Sequence, residues 1–249
     1  MKPRIVLITG AGRGIGAATA VLCAERGYDV AVNYLSNARA AEQIVQRVHA
    51  LGRRGIAVPG DVSNEDEVLR AYESVDRELG TLSALVNNAG IVDVAARVDS
   101  MSAQRITRML AINVVGPFLC AREAVRRMST ARGGKGGAIV NVSSVAARAG
   151  GAGQYVDYAA SKGAIDTFTI GLAKEVAAEG IRVNAVRPGI TDTEIHASGG
   201  EPERAWALAP QVPMQRPGSP EEIAHAIVWL LSDEASYTTG ALLDVGGGR

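Results

Sequence analysis

A tyrosine and a lysine four residues apart, Tyr158 and Lys162, form the pair of side chains in this sequence best suited to proton transfer. On a helix, this spacing places both side chains on one face. A phenol and an ammonium group both titrate near pH ~10 in water, and a neighbouring ammonium group favours the phenolate. A tyrosine held in this way can exchange protons near neutral pH, as a general acid or base must. By itself, the pair also fits an ordinary exposed helix face.

A glycine-rich segment near the N-terminus gives this pair a context. It reads Thr9-Gly10-Ala11-Gly12-Arg13-Gly14-Ile15-Gly16, after the apolar run 4–9 and before a helical pattern over 17–26. Glycines at a strand-to-helix turn let the backbone approach a pyrophosphate, and the helix N-terminus supplies free N–H groups and a partial positive charge. The alternative is an ordinary tight turn. The residues predicted to contact a dinucleotide here are Gly10, Gly12, Arg13, Gly14, Ile15 and Gly16.

Composition limits the possible functions. The chain has 249 residues, is 47% hydrophobic, and carries 26 basic and 26 acidic residues, so its charge implies no nucleic-acid partner. No stretch is apolar enough to span a membrane and no signal peptide is visible, so we expect a cytoplasmic protein. The three histidines lack metal-ligand spacing, which predicts no metal site. Cys23 and Cys120 are expected to be buried thiols.

Short apolar runs alternate with helical patterns along the whole chain. This alternation predicts an α/β fold, a doubly wound parallel sheet of about seven strands with helices on both faces. No linker or repeat interrupts it, so we expect a single dinucleotide-binding and catalytic domain over 1–249. One long helix is predicted over 103–128. Other helix starts are predicted at Ser63, in a capping box with Asp66, and at Ser219.

Polar and glycine residues follow the carboxyl ends of several predicted strands. They are the glycine run, Asp61, Asn87, the pair Ser143-Ser144 and the pair Pro188-Gly189. In a parallel sheet, ligands bind beyond the carboxyl ends of the strands. We therefore expect these residues to face one shared crevice, although Asp61 and Asn87 also fit loop capping after a strand.

In order and spacing, these motifs resemble the short-chain dehydrogenase/reductase family over essentially the full length of the chain. The resemblance depends on the run Thr9 to Gly16, Asn87-Asn88-Ala89-Gly90, Asn113, Ser143-Ser144, Tyr158 with Lys162, and Pro188-Gly189. It implies a Rossmann-type fold and an oxidoreductase with a Ser-Tyr-Lys mechanism. Such an enzyme transfers a hydride between a nicotinamide cofactor and a small carbonyl or alcohol substrate.

The resemblance also implies a role for each catalytic residue. Tyr158 is the general acid/base, and Lys162 lowers the pKa of Tyr158 and holds the nicotinamide ribose. Ser144 hydrogen-bonds the substrate oxygen. Its neighbour Ser143 stays open as an alternative, because the loop that follows is about one residue longer than the family pattern. Asn113 supports a water chain that relays protons to solvent.

Further cofactor contacts are implied in the same way. Asp61, with Val62 beside it, is placed at the adenine. The residues along the adenosine and ribose are Asn87, Ala89 and Gly90. The last group is Pro188, Gly189, Ile190 and Thr193, of which Ile190 and Thr193 hold the carboxamide and phosphates.

The end of the second predicted strand favours NADP over NAD. NAD-binding members of such folds use an acid there to accept the ribose hydroxyls, but the stretch 32–37 has none, and Asp29 precedes it. Arg13 suits a 2′-phosphate, and Asn33 and Ser36 add hydrogen-bond donors. Two alternatives stay open: the protein also uses NAD, or Arg13 is a solvated loop residue that does not contact the cofactor.

Residues 193–213 are expected to form a lid over the crevice. The sequence does not determine the substrate. Beta-ketoacyl carrier-protein reductases and bacterial glucose dehydrogenases are similar, but Glu179 stands where a carrier-protein reductase is expected to have a basic residue. An alternative that is not an enzyme is a catalytically silent protein that binds the dinucleotide and senses redox state. The presence of all four catalytic residues, Asn113, Ser144, Tyr158 and Lys162, argues against this alternative.

The resemblance finally implies a homotetramer. The segments 111–119 and 168–172 give their helices more apolar surface than one sheet face needs. The C-terminal segment 242–249 is apolar until its last residues, which is unusual for a free terminus. Closed symmetric interfaces are the usual way to bury such faces. The alternative is a monomer with deeply packed helices.

Overall fold

A computed structural model describes residues 4–249 of the chain. The strands are β1 (Arg4–Ile8), β2 (Tyr28–Tyr34), β3 (Gly55–Pro59), β4 (Ala84–Asn87), β5 (Gly137–Val142), β6 (Ile181–Pro188) and β7 (Leu242–Val245). The helices are α1 (Gly14–Glu25), α2 (Ala38–Ala50), α3 (Glu65–Glu78), α4 (Ala103–Leu110), α5 (Gly116–Met128), α6 (Ala146–Ala149), α7 (Val156–Val176), α8 (Ile195–Ser198), α9 (Arg204–Ala207) and α10 (Pro220–Leu231). Within this described part, no helix has the length and apolar character needed to cross a membrane.

Over residues 4–249, the strands form one seven-stranded parallel sheet in the order β3-β2-β1-β4-β5-β6-β7. The chain runs outward from β1 to β3 and then returns to the other side of β1 with β4. Loops at the carboxyl ends of β1 and β4 therefore diverge, which opens a crevice between them. The predicted fold class, a doubly wound parallel sheet, is confirmed.

Side chains alternate along the strands to fill an apolar layer on each face of the sheet. On one face, Val6 and Ile8 of β1 pack with α1, α2 and α10. On the other face, Leu7 packs with α3, α5 and α7. Cys23 and Cys120 lie in opposite layers, and burial raises the pKa of each thiol to about 12. Both cysteines are buried and free, as predicted.

The two predicted helix starts have different outcomes. Ser219 caps α10 in a capping box with Glu222, as the sequence predicts. The capping box of Ser63 with Asp66 is wrong, because Asn64 caps α3 instead. The hydroxyl of Ser63 donates to Asp61 Oδ1 at 2.7 Å. Because the Ser63 hydroxyl is bonded to Asp61, the next residue, Asn64, serves as the N-cap of α3.

The long helix predicted over 103–128 is present with these bounds, but its middle is not a regular α-helix. The turn 111–115 between α4 and α5 is widened into a π-helical turn. Pro117 has no N–H to donate to the carbonyl of Asn113, as an α-helix would require. Gly116 is pressed against Val62, because a β-carbon there would lie 2.8 Å from Val62 Cγ2. This widened turn carries Asn113, and such turns are frequent at functional sites.

Candidate active site

The loop between β1 and α1 forms a cradle with no room for side chains. Gly10 and Gly14 have φ angles of 62° and 52°, in the left-handed region that favours glycine. A β-carbon at Gly16 would lie 2.5 Å from Asn88 Nδ2 and 2.7 Å from the Gly10 carbonyl oxygen. The first turn of α1 holds no acidic residue, so its N–H groups suit an anion. The loop fits the diphosphate of a dinucleotide.

Thr9 and Asn88 hold this cradle in shape. The Thr9 hydroxyl oxygen accepts from the backbone N–H groups of Asn88 at 3.0 Å and Ala89 at 2.9 Å. In return, Asn88 Nδ2 donates to the carbonyls of Thr9 at 2.8 Å and Gly10 at 3.1 Å. Thr9 and Asn88 lie within the motifs that carry the family resemblance, and that position is the signal in the sequence for their supporting role.

The end of β2 presents no acidic side chain. Asp29, at the other end of that strand, is buried and paired with Arg53 at 2.7 Å and Arg54 at 2.8 Å. Asn33 is also buried, with its oxygen accepting from the Gly10 N–H at 3.2 Å. Its amide nitrogen donates to the carbonyls of Val58 and Gly60. Asn33 therefore anchors the cradle, and the prediction that it offers a donor to a 2′-phosphate is not supported.

Arg13 and Ser36 remain on the exposed side of the crevice. Arg13 lies at the N-cap of α1, and its guanidinium donates to Ser198 Oγ at 3.4 Å. A cavity of about 680 Å³ extends from the glycine loop along α1 and α10, lined by Gly12, Arg13, Gly14 and Thr193 among others. Arg13 thus shares a cavity with the glycine loop and the start of the predicted lid.

The side chains after β3 and β4 differ in their access to the crevice. Asp61 Oδ1 accepts from the N–H of Ser63 at 2.9 Å, so this carboxylate caps its own loop, while the residue stays partly exposed. Asn87 points into the interior, where its amide donates to the carbonyl of Pro117 and to Asn141 Oδ1 at 2.9 Å. This amide nitrogen ties β4 to β5, while Asn87 Oδ1 has no hydrogen-bond partner among residues 4–249, so the predicted contact of Asn87 with adenosine stays a prediction. Ala89 lies against the cradle, since a β-carbon at Gly10 would lie 3.0 Å from Ala89 Cα.

Tyr158 and Lys162 lie on α7 and both reach the same buried region. Lys162 Nζ is 5.6 Å from the centre of the Tyr158 ring and donates to the Val142 carbonyl at 2.8 Å. A β-carbon at Gly90 would lie 3.5 Å from Lys162 Nζ and 3.4 Å from Asn113 Oδ1. The pair is therefore next to the loop that follows β4, where the nicotinamide ribose is expected.

The pKa values of this pair differ from the expectation. Burial raises the pKa of Tyr158 above its ordinary value of 10.0, and a hydrogen bond with Ser144 acts in the opposite direction. Burial also lowers the pKa of Lys162 to about 8, against the effect of Asp166. The expectation that Lys162 lowers the pKa of Tyr158 does not hold here, because burial dominates and the Lys162 ammonium bonds Val142. Tyr158 is accordingly protonated at neutral pH, ready to donate a proton.

The two serines after β5 have different partners. Ser143 is buried, and its hydroxyl donates to the Lys162 carbonyl at 3.2 Å, which ties β5 to α7. Ser144 lies close enough to the Tyr158 phenol to act on its pKa, and the Ser144 hydroxyl oxygen accepts from the Ala146 N–H at 3.1 Å. The geometry therefore favours Ser144 over Ser143 as the group that contacts a substrate oxygen.

Asn113 fixes the loop after β4 against α7. Its oxygen accepts from the Ile91 N–H at 2.8 Å, and its nitrogen donates to the Ile91 carbonyl at 2.9 Å. The same nitrogen donates to Ser161 Oγ at 3.2 Å. These contacts give Asn113 a positioning role, and its predicted support of a water chain stays a prediction.

The segment predicted as a lid contacts three of the loops around the crevice. Thr193 lies over the cradle, with its Cγ2 3.4 Å from the position of a β-carbon at Gly14. Gly199 packs on the loop after β4, where a β-carbon would lie 3.3 Å from the Asp93 carbonyl oxygen. Arg204 donates to Gln154 Oε1 at 2.7 Å, just before α7. The segment begins shortly after Pro188, which ends β6 at the same edge of the sheet and is followed by Gly189 and Ile190.

The chain is similar to known proteins over nearly its whole length. A family model described as enoyl-(acyl carrier protein) reductase matches residues 10–249. The chain is 55% identical to the uncharacterized oxidoreductase YgfF of Escherichia coli (strain K12), over 98% of this chain and 99% of the relative. It is 40% identical to cis-4-hydroxycyclohexanecarboxylate dehydrogenase of Sinomonas cyclohexanicum, over 98% of this chain and 96% of that protein. A Burkholderia cenocepacia J2315 short chain dehydrogenase, crystallised in complex with NADP, superposes with a TM-score of 0.90 at 33% identity, covering 98% and 97% of the chains.

Proposed function

Because the chain belongs to the short-chain dehydrogenase/reductase family, we propose that it is an NADP-dependent oxidoreductase that interconverts a small carbonyl compound and its alcohol. Membership makes it an NAD(P)-dependent enzyme that acts on CH–OH and C=O groups. The finer assignment is supported best by the convergence of Tyr158, Ser144 and Lys162 beside Gly90.

The proposed chemistry divides the work between the cofactor and the protein. The nicotinamide supplies or accepts the hydride. Tyr158 exchanges a proton with the substrate oxygen, and the Ser144 hydroxyl stabilises negative charge on that oxygen. Lys162 holds the ribose next to Gly90, so that the reacting carbon faces the nicotinamide. Asn113 keeps the loop after β4 in place against α7.

Three observations support NADP as the preferred cofactor. The acid of β2, Asp29, is paired with two arginines at the end of that strand away from the crevice. Arg13 is exposed at the N-cap of α1, where its guanidinium can pair with a 2′-phosphate. The Burkholderia relative is described in complex with NADP.

We expect Arg13→Ala to weaken NADPH binding by roughly ten- to a hundred-fold, because charge-assisted hydrogen bonds contribute about 1.5–3 kcal/mol. NADH binding should change little, since NADH carries no 2′-phosphate. Fluorescence titration with both cofactors measures the two dissociation constants. Arg26→Ala, at the opposite end of α1, is the control and should change neither. Equal losses for NADPH and NADH, or a clear preference of the unmodified chain for NADH, would contradict the assignment.

The substrate class is tested by NADPH consumption against a panel of compounds. The name of the Sinomonas relative describes a ring alcohol, so the panel includes 4-oxocyclohexanecarboxylate with open-chain ketones, diketones, sugars and acyl thioesters. We expect turnover with at least one small ketone. NADPH binding without turnover of any compound would instead favour the redox sensor, and turnover restricted to acyl thioesters would favour a carrier-protein reductase.

We also propose a homotetramer. One apolar face is exposed by Val115 in the turn before α5, Phe118 on α5 and Ile170 on α7. The ring centres of Phe118 and Phe168 are 3.8 Å apart, so these rings stack and join α5 to α7. Trp229 of α10 and the residue Tyr237 before β7 expose a second apolar face. Two separate faces fit an assembly with two kinds of two-fold interface.

Light scattering at micromolar concentration is expected to give the mass of four chains. Phe118→Glu and Trp229→Glu should each leave a dimer, because each disrupts one of the two apolar faces. A monomeric mass for the unmodified chain would contradict this assembly.

A further inference from the structure

The helix that carries Tyr158 and Lys162 also carries a buried acid, Asp166. Asp166 Oδ2 accepts from Arg187 Nη2 at 2.7 Å and from Arg187 Nε at 3.0 Å. Its other oxygen, Oδ1, is buried without a hydrogen-bond partner among residues 4–249. A half-satisfied buried carboxylate is costly. An interaction beyond the one with Arg187 would account for its place on the catalytic helix.

Asp166 lies one helical turn after Lys162, which places both side chains on the same buried face of α7. The other groups near the Lys162 ammonium are uncharged or weakly acidic. On α7 this is the Tyr158 phenol, and on β5 it is the Val142 carbonyl. The loop after β4 and the turn 111–115 bring Gly90 and the Asn113 amide to this region, since a β-carbon at Gly90 would lie 3.5 Å from Lys162 Nζ and 3.4 Å from Asn113 Oδ1. Asp166 is the one carboxylate that acts on Lys162.

We propose that Asp166, anchored by Arg187, is a positioning residue that serves as the counter-ion of the Lys162 ammonium group. In this role it does not touch substrate or cofactor. It keeps Lys162 charged inside a site that burial would otherwise neutralise, so that the ammonium can hold the ribose.

A chain of ion pairs fixes this carboxylate to the sheet. Arg187, on β6, also approaches Asp244 of β7 at 3.5 Å, and Asp244 pairs with Arg148 of α6 at 2.8 Å. Arg187 directly precedes Pro188 and Gly189. The chain therefore joins the catalytic helix to the strand end that leads into the predicted lid.

The direction of the effect follows from the two influences on Lys162. Burial lowers the pKa of Lys162 from 10.5 to about 8, and Asp166 acts against that lowering. Without the carboxylate, the pKa of Lys162 falls further, so the ammonium form is lost at a lower pH. Activity that needs the ammonium is then also lost at a lower pH.

The test is a pH titration of Lys162 in the full chain, followed by NMR on ¹³C-labelled lysine. The other lysines are Lys2, Lys135 and Lys174, so the Lys162 signal can be assigned with Lys162→Met. We expect Asp166→Asn to lower the midpoint by about one pH unit or more, as an opposite charge nearby shifts a pKa by about 1–3 units. Asp166→Glu keeps the charge and should restore most of the shift.

Asp166→Asn leaves Arg187 buried and unpaired, which can prevent folding. The double variant Asp166→Asn/Arg187→Gln avoids this and should show the same lowered midpoint. If either folded variant titrates Lys162 with the midpoint of the original chain, the proposal is overturned. The proposal is also overturned if Asp166→Asn lowers the Lys162 midpoint but the double variant does not. The inference depends on the proposed role of Lys162. The titration needs neither cofactor nor turnover, so its failure is distinguishable from failure of the proposed function.

The same variants give a kinetic readout. In ketone reduction with NADPH, the alkaline limb of kcat against pH should move to lower pH in Asp166→Asn and stay near its original position in Asp166→Glu. A uniform loss of activity at every pH, with no movement of this limb, would mean a merely structural role and would overturn the proposal.

Discussion

Replacing Tyr158 with phenylalanine is expected to lower kcat by ~10²-fold or more while leaving the NADPH dissociation constant nearly unchanged. The substitution removes the phenol that gives its proton to the substrate oxygen. It keeps the ring that packs beside Lys162, whose Nζ lies 5.6 Å from the ring centre. The measurements are steady-state NADPH oxidation with a ketone substrate and fluorescence titration of NADPH.

Tyr155→Phe is the matched control for this variant. Tyr155 directly precedes the first turn of α7, but its hydroxyl donates to Glu201 Oε1 at 3.4 Å, on the predicted lid. We expect Tyr155→Phe to retain most of the activity. A Tyr158→Phe enzyme with more than roughly a tenth of the original kcat would defeat the acid/base assignment, because such groups usually contribute ~10²-fold or more.

The second large effect is expected for Ser144→Ala, which should lower kcat by roughly 10²–10³-fold, as loss of one donor to a developing oxyanion does. Ser143→Ala removes a hydroxyl of the same kind one residue earlier. That hydroxyl donates to the Lys162 carbonyl at 3.2 Å, so its loss should affect stability more than kcat.

Steady-state kinetics and thermal unfolding of the two serine variants separate these roles. We expect the kcat defect in Ser144→Ala and the lower Tm in Ser143→Ala. The opposite order would assign the substrate contact to Ser143, and equal small effects would show that neither hydroxyl stabilises the transition state.

The fold could be predicted from the sequence because its signals are local. Each strand is an apolar run, as in Val6, Leu7 and Ile8, since both faces of the sheet are covered. Gly10 and Gly16 likewise mark a turn where side chains do not fit. The spacing of Tyr158 and Lys162 on one helix face needs only helical geometry.

The orientation of individual polar side chains depends on residues far apart in the chain. Asn33 lies next to the last residue of β2 and Asn87 ends β4, positions where cofactor-binding residues are expected, yet both side-chain amides donate hydrogen bonds within the protein. Their partners become visible only when β1, β3 and β5 are placed beside them. The widened turn at Asn113 depends in the same way on Val62, which packs against Gly116.

The pKa shifts of Tyr158 and Lys162 could not be predicted from the sequence either. The types of Tyr158 and Lys162 suggest that the ammonium lowers the pKa of the phenol, but this neglects burial, which raises the pKa of Tyr158 and lowers that of Lys162. Asp166 and Arg187 carry no motif, and their contact depends on how α7 packs on β6.

Transfer of labelled hydride tests the central claim most directly. The chain is incubated with a ketone that it reduces and with NADPH deuterated at nicotinamide C4, using each of the two stereoisomers separately, and the alcohol is analysed by mass spectrometry. We predict that one stereoisomer places a single deuterium on the carbinol carbon of the product, and that Tyr158→Phe forms this product at least ~10²-fold more slowly. Alcohol formed without deuterium from either stereoisomer, or NADPH bound with no alcohol formed at all, would contradict the account.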